Sequence, residues 1–204
     1  MRRAWIIALF FSLFSSSVSS AASMLILSGH YGYGLQNIFG EDQVPSYRGS
    51  TYGFDVEYVV GRRALFSNSF LFGPFFSQNY MNGENTANNE TQQENLRVKN
   101  SILGLKLYVN PLYFKIGIGK KDFRDELVTD SKNILLLKGT SFNAQTGLTF
   151  DISQSWKVDF GLDASYTKIN ALENNLSQRL DHWQFSGLIS LGYILSSGRD
   201  AAAE

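Results

Sequence analysis

The chain of 204 residues contains no cysteine. Disulfides, thiolate metal sites, a thiol nucleophile and lipidation at a cysteine are thereby excluded. Histidine occurs twice and proline three times. The two histidines and the scattered carboxylates lack the ligand spacing that holds a cation, so no metal is expected. Neither sign of charge is in excess, with 18 basic and 18 acidic residues, and nothing suggests a nucleic-acid partner. No apolar run reaches the roughly 20 residues that a helix needs to cross a bilayer. The longest, residues 4–14, follows Arg2 and Arg3 and precedes the small residues Ser20, Ala21 and Ala22, which is the layout of an export signal peptide. Residues 1–22 are read as that signal, residues 23–196 as one folded domain, and 197–204 as a short C-terminal tail. Without Arg2 and Arg3, 16 basic residues stand against 18 acidic ones, a formal charge of −2.

What the remaining chain does have is period two, the spacing that sends alternate side chains to opposite faces of a strand. It recurs eight times. The first segment sets Leu25, Leu27, Tyr31, Tyr33 and Leu35 against Ser28, His30, Gly32 and Gly34; the second sets Tyr52, Phe54, Val56, Tyr58 and Val60 against Thr51, Gly53, Asp55 and Glu57. In the third, Phe66, Phe70, Phe72 and Phe76 alternate with Ser67, Ser69, Gly73 and Ser77, with Leu71 and Phe75 out of phase. The fourth and fifth carry Leu103, Leu105, Leu107, Val109 and Leu112, Phe114, Ile116, Ile118 on their apolar faces. The sixth, seventh and eighth continue the pattern through Phe142 to Phe150, Trp156 to Tyr166 and Trp183 to Leu195. Each matches a tilted membrane strand of roughly 9 to 11 residues. Long polar connections (36–47, 80–96, 121–133 and 168–182) alternate with tight turns near Gly61, Asn110-Pro111 and Ser153–Ser155, as when one rim faces the outside and the other the periplasm.

Two kinds of closed barrel fit such a pattern, a soluble one with a greasy interior and a membrane one with a greasy exterior. The apolar face carries more bulky side chains than an eight-stranded interior can hold, so it is expected to point outward. The other face is rich in Gly and Ser and carries Asp55, Glu57, Asp159 and Asp163 against Lys106, Lys115 and Lys157. Buried ions are costly unless paired, so this balance is expected to form a salt-bridge network in the lumen. Tyr52, Tyr166 and Trp183 fall where an outer aromatic girdle belongs, and Tyr58, Trp156 and Tyr193 where a periplasmic one does. The fold class expected is all-β, an eight-stranded antiparallel up-and-down transmembrane β-barrel.

With these features the chain resembles the small bacterial outer-membrane barrels of the OmpA, OmpX and OmpW type. The signal, the eight segments, four polar loops and the closing stretch Gly187–Leu195 carry the resemblance; relatives usually stop at an aromatic residue, whereas this chain continues to Glu204. The resemblance implies location in the outer membrane. It implies outer-membrane lipid and lipopolysaccharide as surroundings, and the barrel-assembly machinery as a partner during biogenesis.

Chemistry is sparser. A serine-type site needs His, Ser and an acid within reach of one another, and His30 or His182 with Ser186 and Asp181 supply the residue types of a lipid A acylase or deacylase without a motif of those enzymes. Gly117, Gly119, Lys120 and Lys121 look faintly like a phosphate loop but lack its spacing. Lys120, Lys121 and Arg124 are placed near the outer rim, within reach of lipopolysaccharide phosphates. The expected role is a structural or surface-interaction scaffold presenting four loops, with no catalytic residue and no cofactor. A lipid A-modifying enzyme and a narrow solute channel are the alternatives.

Overall fold

A computed structural model describes residues 22–39, 46–62, 70–85, 94–127, 134–169 and 180–196. The expected signal peptide, apart from Ala22, and the tail 197–204 lie outside these residues, as do Phe66, Ser67 and Ser69. Eight strands follow in order: β1 (Ala22–Phe39), β2 (Ser46–Arg62), β3 (Phe70–Asn85), β4 (Glu94–Val109), β5 (Leu112–Leu127), β6 (Ile134–Asp151), β7 (Trp156–Ile169) and β8 (Leu180–Ser196). Each pairs antiparallel with the next, and β8 returns to β1 to close a barrel. Closure removes every free sheet edge, so backbone donors and acceptors along the strands find partners inside the wall, apart from a short lapse between β2 and β3. In hydrocarbon that is a requirement for any strand.

The register gives the barrel its slant. Following paired residues from Ile26 through Glu57, Phe75, Gly104, Gly117, Asn143, Ser165 and Gln184 returns to Gln36 on the starting strand, ten positions further on. With eight strands this stagger tilts each strand by about 40°. Tilt also brings residues distant in sequence to one height. Tyr58, Trp156 and Tyr193 share a level near the short turns; Tyr52, Tyr80, Tyr166 and Trp183 share one nearer the other rim.

The strands run 14 to 18 residues, longer than the 9 to 11 expected, and the connections are correspondingly shorter. Pairing continues to Asn37↔Ser46, Glu84↔Asn95, Glu126↔Ile134 and Ile169↔Leu180. Above the lipid, backbone hydrogen bonds still favour the ladder, but outward side chains no longer need to be apolar. The hydrophobic alternation therefore ends before the strand does.

The out-of-phase residues of the third segment have a simple explanation. Leu71 and Phe75 are buried in the lumen while Phe70, Phe72 and Phe76 face outward. Glu57↔Phe75 and Val60↔Phe72 keep one register, so no residue is inserted between them. The pairing lapses only at the rungs between, opposite Pro74, which has no N–H to donate. At the neighbouring turn Gly61 takes φ of 146°, a region that costs other residues strain.

Candidate functional site

The outer wall is built by one phase of the alternation. Leu162 at 70 %, Leu103 and Ile116 at 64 % and Ile118 at 60 % are among many large apolar side chains with no protein neighbour covering them. A water-soluble chain rarely exposes such a surface as one contiguous patch. Here it encircles the molecule. Trp156 stacks edge-on against Tyr193 at 4.9 Å between ring centres on the short-turn side, and on the other side Tyr166 meets Trp183 at 4.8 Å and Tyr52 stacks on Tyr80 at 5.6 Å. Between these two levels no described outward side chain is charged. Two of the polar ones are tied locally: Thr146 Oγ donates to the Tyr113 carbonyl at 3.1 Å, and the Gln78 amide to the Tyr80 hydroxyl. Such a wall is suited to lipid.

The opposite phase fills the lumen in layers. At the short-turn end Met24, Ile26, Val59, Leu71, Tyr108, Tyr113 and Ile194 form an apolar plug. Directly above it lies an ion-pair layer centred on Glu57, which is fully buried. Lys106 Nζ donates to Glu57 Oε2 at 2.7 Å and Oε1 at 3.0 Å; Lys115 Nζ lies 2.8 Å from Oε1 and Lys157 Nζ 3.6 Å from Oε2. Lys115 also binds Asp55 at 2.7 Å, and Lys157 binds Asp159, which stands 3.8 Å from Lys106. Three lysines thus interlock with three carboxylates. His30 Nδ1 faces Asp55 Oδ2 at 3.7 Å. The void left between plug and ion pairs is only ≈ 20 Å³, about the space of one water.

Higher up the filling consists mostly of hydrogen-bonded amides and hydroxyls. Asn100, Ser141 and Asn143 close a triangle with distances of 2.8, 2.9 and 3.0 Å. Asp163 faces inward at this level, opposite Gln145 and Ser186 in the register. At the outer end a second apolar layer of Tyr47, Met81, Leu96, Val98, Phe123, Leu137 and Ile169 covers the polar filling.

Small residues make room for this filling. A Cβ on Gly161 would overlap the Tyr113 hydroxyl, whereas one on Gly187, which faces outward, meets nothing within 4 Å. Gly161→Leu is expected to lower stability by about 1 to 3 kcal/mol through overpacking, and Gly187→Leu to change it by less than about 0.5 kcal/mol. Guanidinium unfolding of the two variants in lipid vesicles checks this, and equal effects would mean that the lumen has slack at Tyr113.

Two sequence expectations are corrected. Lys121 does not face the rim. It is fully buried in the lumen, where Nζ donates to Ser165 Oγ at 2.7 Å and Gln184 Oε1 at 3.0 Å, while Lys120 and Arg124 do face outward. The alternation of β5 dictates this, because Lys121 shares its phase with Lys115, Gly117 and Gly119. The same phase puts the faint phosphate loop in mid-strand, with Gly117 and Gly119 turned inward. The candidate triad is also not assembled. Asp181 and His182 are adjacent on β8 and so point to opposite sides of the wall: His182 is sealed inside, with Nε2 2.8 Å from Gln36 Oε1 and its ring against Phe123. Ser186 Oγ accepts from Gln184 at 3.3 Å and lies 3.4 Å from Thr51 Oγ1. The two apolar end layers escaped sequence reasoning, because the inward phase was expected to be polar throughout; Met24, Ile26, Leu96 and Val98 were the visible signal.

No protein-family model matches the sequence, and no curated protein matches it. Among solved structures the barrel is similar to Neisserial surface protein A (NspA), with a TM-score of 0.51 and 11% identity over 86% of this chain and 99% of that one. Ail, the attachment invasion locus protein of Yersinia pestis, aligns with a TM-score of 0.46 and 14% identity over 83% and 98%, and the outer membrane protein OprG of Pseudomonas aeruginosa with 0.43 and 13% over 85% and 96%. Identities this low speak to fold alone. By fold and by the character of its wall, the chain is an eight-stranded β-barrel of the outer-membrane type.

Proposed function

We propose that the protein is a non-conducting, non-catalytic scaffold of the outer membrane, whose rigid barrel anchors the connections between β1 and β2, β3 and β4, β5 and β6, and β7 and β8 at the cell surface. Residues 40–45, 86–93, 128–133 and 170–179 of those connections lie outside the described residues. One observation carries the reading: the lumen is occupied by an apolar plug, a closed ion-pair layer and a second apolar layer in series. A solute entering it would have to break buried charge pairs, at several kcal/mol each. Both histidines are likewise enclosed, so neither is placed to act on a lipid at the outer wall. Rigidity follows from the same filling, since a wall packed against interlocked ions has little freedom to deform.

Planar-bilayer recording on protein that shows heat-modifiable gel migration tests this. Flat traces are expected. Discrete conductance steps from folded protein would replace the scaffold with a channel.

A further inference from the structure

From β3 to β8 the outward face changes from apolar to polar along one line of paired residues. Gln78, Ser101, Lys120, Thr140, Lys168 and Asp181 are successive register partners on those strands, and all share the outward phase. Two residues nearer the short turns, the parallel line reads Phe76, Leu103, Ile118, Phe142, Tyr166 and Trp183, aliphatic or aromatic throughout. Such a line is not level. It rises ten positions in a full circuit of the barrel. Between β3 and β8 it therefore climbs about six positions, roughly 15 Å along strands tilted by about 40°. Against the outer aromatic level it passes from below to above: Tyr80 stands two residues above Gln78, whereas Tyr166 and Trp183 stand two below Lys168 and Asp181.

The apolar belt is accordingly short on one flank and tall on the other. At the short-turn end Phe70, Val109, Leu112, Phe150, Trp156 and Leu195 carry it down close to one level on every strand from β3 to β8. On β3 the belt runs from Phe70 to Phe76, seven residues, and on β8 from Leu195 to Trp183, thirteen. Along the membrane normal these lengths are roughly 15 Å and roughly 30 Å, against ~25 Å for the apolar band of an outer-membrane barrel. A rigid tilt does not remove the difference, because what it gains at the loop end it loses at the short turns. Gln78 and Ser101 make the shortfall chemical. The bond to Tyr80 uses one donor of the Gln78 amide, and neither the rest of that amide nor the Ser101 hydroxyl has a side-chain partner among the described residues. Left against acyl chains, such groups are costly.

We infer that the barrel thins the membrane leaflet on its loop side along β3 and β4, drawing water and headgroups down to Gln78 and Ser101, while the leaflet keeps its full depth along β7 and β8. A hydrophobic wall shorter than the surrounding hydrocarbon is met by local thinning, and water at that depth satisfies an amide and a hydroxyl that lipid tails cannot. The result is a patch of weakened leaflet packing on one side of the molecule. This activity belongs to the outer wall and stands whether or not the lumen conducts.

The chain has no cysteine, so a single introduced one carries a nitroxide label at a chosen position of the folded protein in dioleoylphosphatidylcholine vesicles. Lys99→Cys on β4 and Trp183→Cys on β8 are the decisive pair, since by the register Trp183 lies about one position nearer the loop rim. A flat leaflet around an upright barrel makes position 183 at least as accessible to a water-soluble nickel relaxant as position 99. Thinning reverses that order, with access at 99 expected to be severalfold higher. Should Trp183→Cys not fold, Phe185→Cys on the same strand is read in its place, with the same severalfold contrast expected. Val109→Cys and Leu195→Cys probe the short-turn end, where similar access is expected on both flanks. Gln78→Leu together with Ser101→Leu should bring access at 99 down towards that at 183, because hydrocarbon can then rise along β3 and β4. Four results would each overturn the inference: access at 99 no higher than at 183; a contrast that the double leucine variant leaves unchanged; an opposite contrast between 109 and 195, which marks a tilted barrel in a flat leaflet; and a label at 99 immobilised at high protein-to-lipid ratio, which marks a second copy covering this flank.

Discussion

Glu57→Gln is expected to cost about 3 to 5 kcal/mol, or to prevent folding, because it takes the common partner from three buried lysines at once. The side chain is completely enclosed, and it contacts Lys106, Lys115 and Lys157. Glutamine preserves the shape and keeps one acceptor oxygen, so any loss reports charge rather than packing. After the change Lys106 keeps only Asp159, at 3.8 Å, among its described ion pairs, and Lys115 keeps Asp55. One positive charge in the layer then has no counterion, and the plug beneath and the packed filling above leave it no route to water. The measurement is guanidinium unfolding in phospholipid vesicles, followed by the shift between heat-modified and unmodified gel bands. A compensating change gives a second check: Lys106→Met in the same chain removes the surplus charge and should recover a large part of the loss. If Glu57→Gln alone unfolds within about 1 kcal/mol of the wild type, the layer is solvated and the lumen is not sealed.

A second large effect is expected on the opposite face of the wall. Leu162 is 70 % exposed and stands about midway between Trp156 and Tyr166 on β7, at the centre of the apolar band. Leu162→Arg should lower stability by about 2 to 4 kcal/mol, the cost of an arginine at the bilayer midplane. On a surface bathed in water the same replacement would change stability by no more than about 0.5 kcal/mol. Thr140→Arg, outward on β6 beside Lys120 and Lys168, provides the comparison, since at that height an added cation costs little. The contrast between the two positions, measured in vesicles of one thickness, locates the hydrocarbon along the strand. Equal and small effects at both sites would mean that the wall is not a lipid-facing surface.

Much of this architecture was legible in the residues. A period of two has only two phases, so once Leu162 and Ile116 are assigned outward, Asp163 and Lys115 must point inward. The turns near Gly61, Asn110-Pro111 and Ser153 were equally readable, because backbone geometry at those points restricts residue type. Lys121 shows how the same rule can be missed. It was grouped with Lys120 and Arg124 by charge and nearness in sequence, yet adjacent residues on a strand face opposite ways. Leu71 and Phe75 misled for a different reason: apolar residues in the inward phase look like errors until the lumen is seen to need an apolar plug.

Sequence alone determined the number of strands, their antiparallel order, and which of the two faces meets lipid, because these follow from local alternation and from the limited volume inside eight strands. Only the tertiary structure decided who meets whom. The ten-residue stagger brings Glu57 beneath Lys106, Lys115 and Lys157 and sets Arg97 against Arg124, and stagger is a property of the closed ladder as a whole, which no single strand encodes. The ends of the strands belong with it, since backbone pairing above the membrane persists on the strength of a neighbouring chain segment and leaves no mark in the pattern of side chains.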